Sequence, residues 1–347
     1  MEKKRIILGM SGGVDSSMAV YYLQKMDFEV IGVTLKMHSD INSEKVISIA
    51  EKFQIEHYFV DISGYFKEKV INYFTTEYKE GRTPSPCFYC NKNIKLPVLT
   101  ELADKYGAEK VATGHYVRNL LYKNKFYIFK GIDVLKDQSY YLWKLDQEIL
   151  QRMVFPLGDK SKEEVKDLAK NLGYTILAAQ KESMGVCFLQ NEDYREFLKK
   201  NDPEFFGKIA KGDVLNLEGQ KIGEHNGYPF YTIGQKNNID FFSDSNYYVG
   251  KIDKKKNILT AAEKDLLELQ RFEISDCYFQ DINDVKSTNI TVRVRGLGLN
   301  PEGYGRIEMK DKRNALIDLE HPAWAMAPGQ PVVFYIGDRV IGGGICK

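Results

Sequence analysis

The chain has 347 residues, 49 Lys and Arg against 48 Asp and Glu for a formal net charge of +1, and 43% hydrophobic residues. That length exceeds one ordinary domain, and the balance excludes a disordered chain and a uniformly basic nucleic-acid coat while leaving room for a local basic face. No apolar run approaches the roughly 20 residues of a membrane-spanning helix; Met1-Glu2-Lys3-Lys4-Arg5-Ile6 leads straight into a strand-like run without a secretory signal, and five cysteines are too few for a disulfide scaffold, so a cytoplasmic setting with reactive or ligating thiols is expected.

In chain order, Ile6-Ile7-Leu8 and Val30 to Leu35 are short apolar runs of the kind that form buried parallel strands. Between them Val14, Met18, Tyr22 and Met26 recur at every fourth residue and predict one apolar helical stripe. Tyr58-Phe59-Val60 and Lys110 to Thr113 predict further strands, and Leu96, Leu99, Leu102, Ala103 and Tyr106 a helix between them. Ser161 with Glu164 forms a capping-box pattern that Gly173 closes. Strand–helix alternation over residues 1–200 predicts an α/β, doubly wound parallel sheet. From 201 to 264 regularly spaced glycines punctuate β-prone pieces, which predicts a small β-rich middle domain. From 265 to 347 the strands continue, with Ile290, Val292 and Val294 alternating with Thr291, Arg293 and Arg295, and a C-terminal β-barrel is expected.

Gly9-Met10-Ser11-Gly12-Gly13-Val14-Asp15-Ser16-Ser17 lies where the first strand hands over to the first helix. Its glycines let the backbone close on a phosphate, and the loop amides with the helix N-terminus favour an anion. It is neither a Walker A loop nor a dinucleotide fingerprint: the Gly-Lys pairs at 207–208 and 250–251 are followed by Ile, and the G-x-G-x-x-G spacing is missing. The plain alternative is a serine-capped turn. This stretch resembles the pyrophosphate loop of the ATP pyrophosphatase (PP-loop) superfamily, whose members adenylate a substrate and release pyrophosphate. By that resemblance Asp15 is associated with Mg2+ and the phosphates.

A second constellation, Gly81-Arg82-Thr83-Pro84-Ser85-Pro86-Cys87-Phe88-Tyr89-Cys90-Asn91-Lys92, places two thiols three apart on a proline-bounded loop. That spacing suits a redox pair, a metal chelate or a thiolate nucleophile, with two buried core cysteines as the bland reading. Ser183-Met184-Gly185-Val186-Cys187-Phe188 supplies a third thiol beside a glycine. With Ala112-Thr113-Gly114-His115-Tyr116, Lys136 to Leu142, Phe155-Pro156-Leu157-Gly158, Tyr231 to Gln235 and Pro328-Gly329-Gln330, the chain resembles the tRNA-specific 2-thiouridylase family along nearly its whole length.

The resemblance implies ATP-dependent 2-thiolation of the wobble uridine of tRNA. ATP adenylates the uracil C2 oxygen, a persulfide on Cys187 delivers sulfur, and Cys90 acts as nucleophile, leaving a Cys90–Cys187 disulfide. It implies catalytic roles for Cys90, Cys187 and Asp15, and ATP contacts at Gly9, Met10, Ser11, Gly12, Gly13, Val14, Asp15, Ser16, Leu35 and Gly114. It places Ser85, Pro86 and Cys87 at the target base, and His115, Lys136, Asp137, Gln138, Arg293, Val294 and Gln330 at the tRNA. Partners are tRNA and a persulfide sulfur donor protein or hydrosulfide, with no membrane. Local charge agrees: residues 286–313 hold seven Lys and Arg against three Asp and Glu, and Arg293 and Arg295 share one strand face. The rival readings are an amide-forming PP-loop ligase, which would need no thiol trio, and an RNA-binding protein without catalysis.

Two departures stand out. Many members carry an acidic residue where this chain has Cys87, and the segment from His38 to Glu44 is short for the family. A third thiol raises a further expectation, in which Cys87, Cys90 and Cys187 ligate a 4Fe–4S cluster whose open iron binds hydrosulfide. Cys277 and Cys346, without a partner motif, are expected to be bystanders.

Overall fold

The computed structural model describes residues 3–38, 43–180, 185–190, 192–242, 246–296, 298 and 300–347. Residues 39–42 of the shortened segment, and Ser183 and Met184 beside Cys187, lie outside the described residues. The chain divides into two compact units: Met1–Val70, Cys87–Met184 and Asp338–Ile341 form the first, and Ile71–Pro86, Gly185–Gly337 and Gly342–Lys347 the second. Among the described residues no helix is long and apolar enough to cross a membrane.

The first unit is built on a parallel sheet of β1 (Lys4–Gly9), β2 (Phe28–Lys36), β3 (Glu56–Asp61), β4 (Lys110–Thr113) and β7 (Met153–Val154), in the order β3-β2-β1-β4-β7. Ile6, Ile7 and Leu8 have no exposed surface, as a strand covered on both faces requires. The order reverses direction at β1, so the carboxyl ends of β1 and β4 flank the switch point where doubly wound sheets bind ligands.

The helix Val14–Lys25 follows β1, but its burial differs from the expected single stripe. Ser16 through Val20 are all buried, while Met26 is the C-cap and more than half exposed. The helix is sunk into the core by its N-terminal half, so a fourfold stripe understates its apolar surface. The helix Lys162–Asn171 starts as expected: Ser161 Oγ accepts from Glu164 N at 3.1 Å, Ser161 N donates to Glu164 Oε2 at 2.6 Å, and Gly173 follows in a left-handed conformation at φ +82°. A hairpin of β5 (Val117–Tyr122) and β6 (Lys125–Lys130) completes this unit, and Arg339 pairs with Phe129 of β6.

In the second unit one sheet runs β10 (Asp240–Phe241), β9 (Lys221–His225), β8 (Gly212–Leu215), β12 (Ile258–Ala262), β11 (Tyr248–Asp253), antiparallel except for β8 with β12. The other runs β14 (Ile290–Arg293), β17 (Pro331–Ile336), β18 (Arg339–Cys346, of which residues 342–346 belong to this unit), β13 (Glu268–Phe279), β16 (Ala315–Trp324), β15 (Gly305–Met309). Its end strands β14 and β15 approach one another, so the sheet curls toward a barrel. Ile290, Val292 and Val294 are buried in it, in the expected alternation.

Candidate active site

The Gly9–Ser17 loop sits at the carboxyl end of β1 and opens the helix Val14–Lys25. Gly12 is left-handed at φ +75°, a conformation that disfavours other residues, and a Cβ there would lie 3.1 Å from Val46 Cγ2. The loop is tied internally: Ser11 N donates to Ser16 Oγ at 3.1 Å, and Ser17 Oγ donates to Gly13 O at 2.8 Å. Ser17 is fully buried by this bond, so its hydroxyl is structural rather than a phosphate donor. The N-cap, Gly13, carries no side-chain cap, and the amides of the first turn have no intrahelical acceptors.

Across the switch point, Gly114 follows β4. A Cβ on it would stand 2.9 Å from Ser16 N and 3.1 Å from Asp15 C, so only glycine lets the two segments meet. Leu35 is buried near the end of β2, and Met10 O accepts from Thr34 Oγ1 at 2.9 Å. The expected nucleotide residues of this unit are therefore gathered at the ends of three adjacent strands.

Asp15 has partners that sequence reasoning missed. Lys162 Nζ lies 2.7 Å from both carboxylate oxygens, and Tyr116 Oη donates to Oδ1 at 2.7 Å. Lys162 and Tyr116 are both buried. A signal was available: Lys162 is the first residue of its helix, where a cation opposes the macrodipole, so its charge needs a partner. The result is a carboxylate held against a cation beside an anion-receptive helix N-terminus. Glycine backbone, an uncapped helix N-terminus and a buried lysine together offer the chemistry that a phosphate chain requires.

Cys87 and Cys90 do not lie on a loop. Pro86–Cys90 is a helical turn that runs through a π-turn, Asn91–Lys95, into the helix Leu96–Lys105. Pro86 suits a first turn because its missing N–H would have no partner there. Cys87 is exposed and Cys90 buried. Phe88 stacks on Trp143 at 5.0 Å, and Tyr141, its phenol pushed up by burial and then by Cys87, stands near that thiol. Cys187 is exposed at the start of the turn Cys187–Leu189, and buried Phe188 packs edge-on against Phe74 at 5.1 Å. All five cysteines carry thiols rather than disulfides. Burial pushes the Cys346 thiol up to about 11, as befits a bystander.

Among the described residues no group of three His, Cys, Asp or Glu side chains is placed to hold a metal ion. The expected 4Fe–4S cluster on Cys87, Cys90 and Cys187 is therefore not shown.

The residues expected at tRNA differ in character. Asp137 is buried, and its carboxylate accepts from Gly131 N, Ser139 N and Ser139 Oγ at 3.1, 3.2 and 2.8 Å, so it shapes the turn from within. Gln138 Oε1 accepts from Tyr116 N at 3.0 Å. His115 bonds Thr113 Oγ1 through Nδ1 at 2.7 Å, and burial, with Lys95 nearby, lowers it to about 3; at neutral pH it carries no charge to offer a phosphate. Lys136 is half-buried beside the exposed Val134 and Leu135. In the second unit Arg293 lies over the Tyr335 ring at 5.4 Å, while the Val294 side chain is buried. Arg295 donates to Ala325 O at 2.8 Å, a structural bond that its strand spacing did not reveal. Gln330 Nε2 donates to Thr83 O at 3.1 Å and Pro84 O at 2.8 Å.

A doubly wound sheet with a glycine loop, a paired aspartate and a buried lysine at its switch point defines a nucleotide-binding α/β protein. Family models match end to end: a tRNA methyl transferase HUP domain over residues 4–191, a tRNA methyl transferase PRC-barrel domain over 195–263 and an aminomethyltransferase beta-barrel domain over 270–346. The tRNA-specific 2-thiouridylase MnmA 3 of Phocaeicola vulgatus is 36% identical over 98% of this chain and 93% of that protein. The tRNA-specific 2-thiouridylase MnmA of Chlorobium luteolum is 38% identical over 100% of this chain and 97% of that protein. A 4-thiouridine synthetase–RNA complex with bound ATP aligns with 58% of this chain and 51% of its own at 17% identity and a TM-score of 0.37, too distant to carry an argument. The chain belongs to the tRNA-specific 2-thiouridylase family.

Proposed function

We propose that this protein catalyses ATP-dependent 2-thiolation of the wobble uridine of tRNA in the cytoplasm. The observation that carries the reading is the loop at the switch point, where left-handed Gly12 and close-packed Gly114 leave room for a phosphate chain beside Asp15 and Lys162. The family models speak of methyl transfer and the relatives of thiolation; a loop built for a nucleotide's phosphates agrees with the second.

The loop backbone from Gly9 to Ser16 holds the phosphates, with Leu35 and Gly114 bordering the nucleoside. Mg2+ would be held by Asp15 together with phosphate oxygens, the usual sharing for that ion, and would supply charge neutralisation. Lys162 compensates the remaining negative charge. The uracil C2 oxygen attacks the α-phosphorus and pyrophosphate leaves, making AMP the leaving group at C2. The terminal sulfur of a Cys187 persulfide, supplied by a donor protein, adds to C2 and AMP departs. The Cys90 thiolate then attacks Cys187 Sγ; the bond to the transferred sulfur breaks, 2-thiouridine is released and a Cys90–Cys187 disulfide remains for a thiol reductant. Ser85, Pro86 and Cys87 border the target base; Lys136, Gln138 and Arg293 meet the RNA through side chains, His115 as a neutral ring, and Asp137 and Val294 through the backbone that they supply, while Gln330 braces the segment that leads to the target base.

The test is nucleoside mass spectrometry of wobble-uridine tRNA incubated with the protein, ATP and a persulfide donor. Wobble 2-thiouridine, with one AMP and one pyrophosphate per sulfur, is expected. Unchanged tRNA, with AMP released as an amine attacks an acyl-adenylate to form an amide, would establish a ligase instead.

A further inference from the structure

The segment Arg82-Thr83-Pro84-Ser85-Pro86 enters the expected target-base site, and its chemistry is one-sided. Pro84 and Pro86 have no N–H, so the segment presents carbonyl oxygens that need donors from elsewhere. Within the second unit these come from the turn Pro328-Gly329-Gln330. The two hydrogens of the Gln330 amide serve Thr83 O and Pro84 O at 3.1 and 2.8 Å. Thr83 N returns a bond to Pro328 O at 2.8 Å, making the attachment reciprocal.

Gly329 permits this contact. It is left-handed at φ +93°, and a Cβ on it would stand 2.8 Å from Thr83 O and 3.1 Å from Arg82 Cβ. The segment is braced on other sides too: Arg82 donates two hydrogen bonds to Glu77, from Nε at 2.7 Å and Nη2 at 2.6 Å, and Thr83 Oγ1 donates to Thr232 Oγ1 at 3.1 Å. The turn itself is tied to the last strand, Cys346 N donating to Gln330 O at 2.9 Å and Gly329 N to Cys346 O at 3.0 Å.

We propose that Gly329 and Gln330 are positioning residues, a clamp by which the C-terminal sheet sets the main-chain path of the segment leading to Ser85, Pro86 and Cys87. This rests on the reading of that segment as the target-base site. Gln330 then acts on the chemical step through Thr83 and Pro84 rather than by holding tRNA. A side chain that grips RNA and one that sets a loop differ in what their loss changes: affinity in the first case, turnover at saturating tRNA in the second.

The experiment compares wild type with Gln330→Glu and Gly329→Ala. The first keeps size and shape but replaces the donor by an anion facing two carbonyls; the second forces a Cβ into the clamp and deletes no side chain that RNA could touch. Thermal melting reports folding, and Gln330→Glu carries the test if Gly329→Ala is unfolded. In both variants kcat at saturating tRNA is expected to fall about tenfold or more, with tRNA affinity and its salt slope unchanged. A readout independent of activity is trypsin cleavage between Arg82 and Thr83 in the native protein, expected to accelerate in both. Weakened tRNA affinity with unchanged kcat and unchanged cleavage would overturn the clamp in favour of direct RNA contact. Absence of thiolation in wild type would instead refute the functional reading, while the cleavage comparison would still decide whether the clamp exists.

Discussion

Lys162 opens its helix at a position where the macrodipole costs a cation about 0.3–1 kcal/mol, and the two 2.7 Å contacts with Asp15 explain its tolerance there. The Lys162 side chain is 8% exposed and that of Asp15 32%, so the pair is only partly shielded. Breaking a fully buried pair costs about 3–5 kcal/mol, and screening of Asp15 reduces this to roughly 1–3. Lys162→Met is therefore expected to lower the melting temperature and to slow pyrophosphate release about 100-fold or more, with Lys162→Arg intermediate. Adding Asp15→Asn should restore some stability but no activity, and pyrophosphate release at the wild-type rate in Lys162→Met would exclude Lys162 from the nucleotide site. The Ser161–Glu164 cap was legible because its partners are three residues apart; the Asp15–Lys162 pair spans 147 and leaves no local pattern. The histidines add a pH dependence. Burial lowers His38, His57, His115 and His225, His115 to about 3. The unfolded chain takes up these protons near pH 6.5 and the folded chain resists them, so their contribution is complete above 6.5 and is lost as pH falls. Melting temperature should drop between pH 6.5 and 5, before most carboxylates titrate, and His115→Gln should flatten that slope.

At the scale of elements, alternation served better than helical spacing. The buried positions Ile290, Val292 and Val294 were readable because a sheet with one covered face imposes a strict period of two. The helix Val14–Lys25 was harder, since a helix embedded on several sides buries residues outside any one stripe. The Cys-x-x-Cys segment read as a loop because Pro84 and Pro86 precede it, yet Pro86 stands at a first helical turn. Outward alternation also made Arg293 and Arg295 look equivalent, and their partners separate them. Arg295 is committed to Ala325 O, so Arg295→Ala is expected to cost about 1–2 kcal/mol of stability. Arg293 lies over the Tyr335 ring, and its proposed contact with the RNA has a direct test. Arg293→Ala should reduce the log–log salt slope of tRNA binding by about 0.7–0.9, the share of one phosphate contact. An unchanged slope would remove this strand from the RNA-binding face.

At the scale of the molecule, local periodicity does not say which body an element joins. The helix Asn72–Lys79 and the segment up to Pro86 follow elements of the first unit in sequence but pack with the second, and the chain returns to the first unit at Cys87. Hydrogen bonds explain this membership: Tyr228 Oη donates to Lys79 O at 2.6 Å, and Pro328 O receives Thr83 N. Such long-range partners are invisible to a pattern read over ten residues. The nucleotide loop and Cys90 thus belong to one unit, and Cys187 to the other. Activation and sulfur delivery are chemically separable steps, and cysteine variants should separate them. Cys187→Ser is expected to retain one turnover of tRNA-dependent pyrophosphate release and to lose thiolation about 1000-fold or more. Cys90→Ser should stop one step later, after sulfur has bonded to C2 but while it is still bonded to Cys187. That variant should accumulate a protein–tRNA conjugate, and a small thiol should cleave its S–S bond to liberate 2-thiouridine tRNA. Denaturing gels with and without reductant, followed by nucleoside mass spectrometry, read both outcomes. Full thiolation by Cys187→Ser would remove the persulfide from the mechanism; a Cys90→Ser protein that turns over without forming the conjugate would remove Cys90 as the attacking thiol.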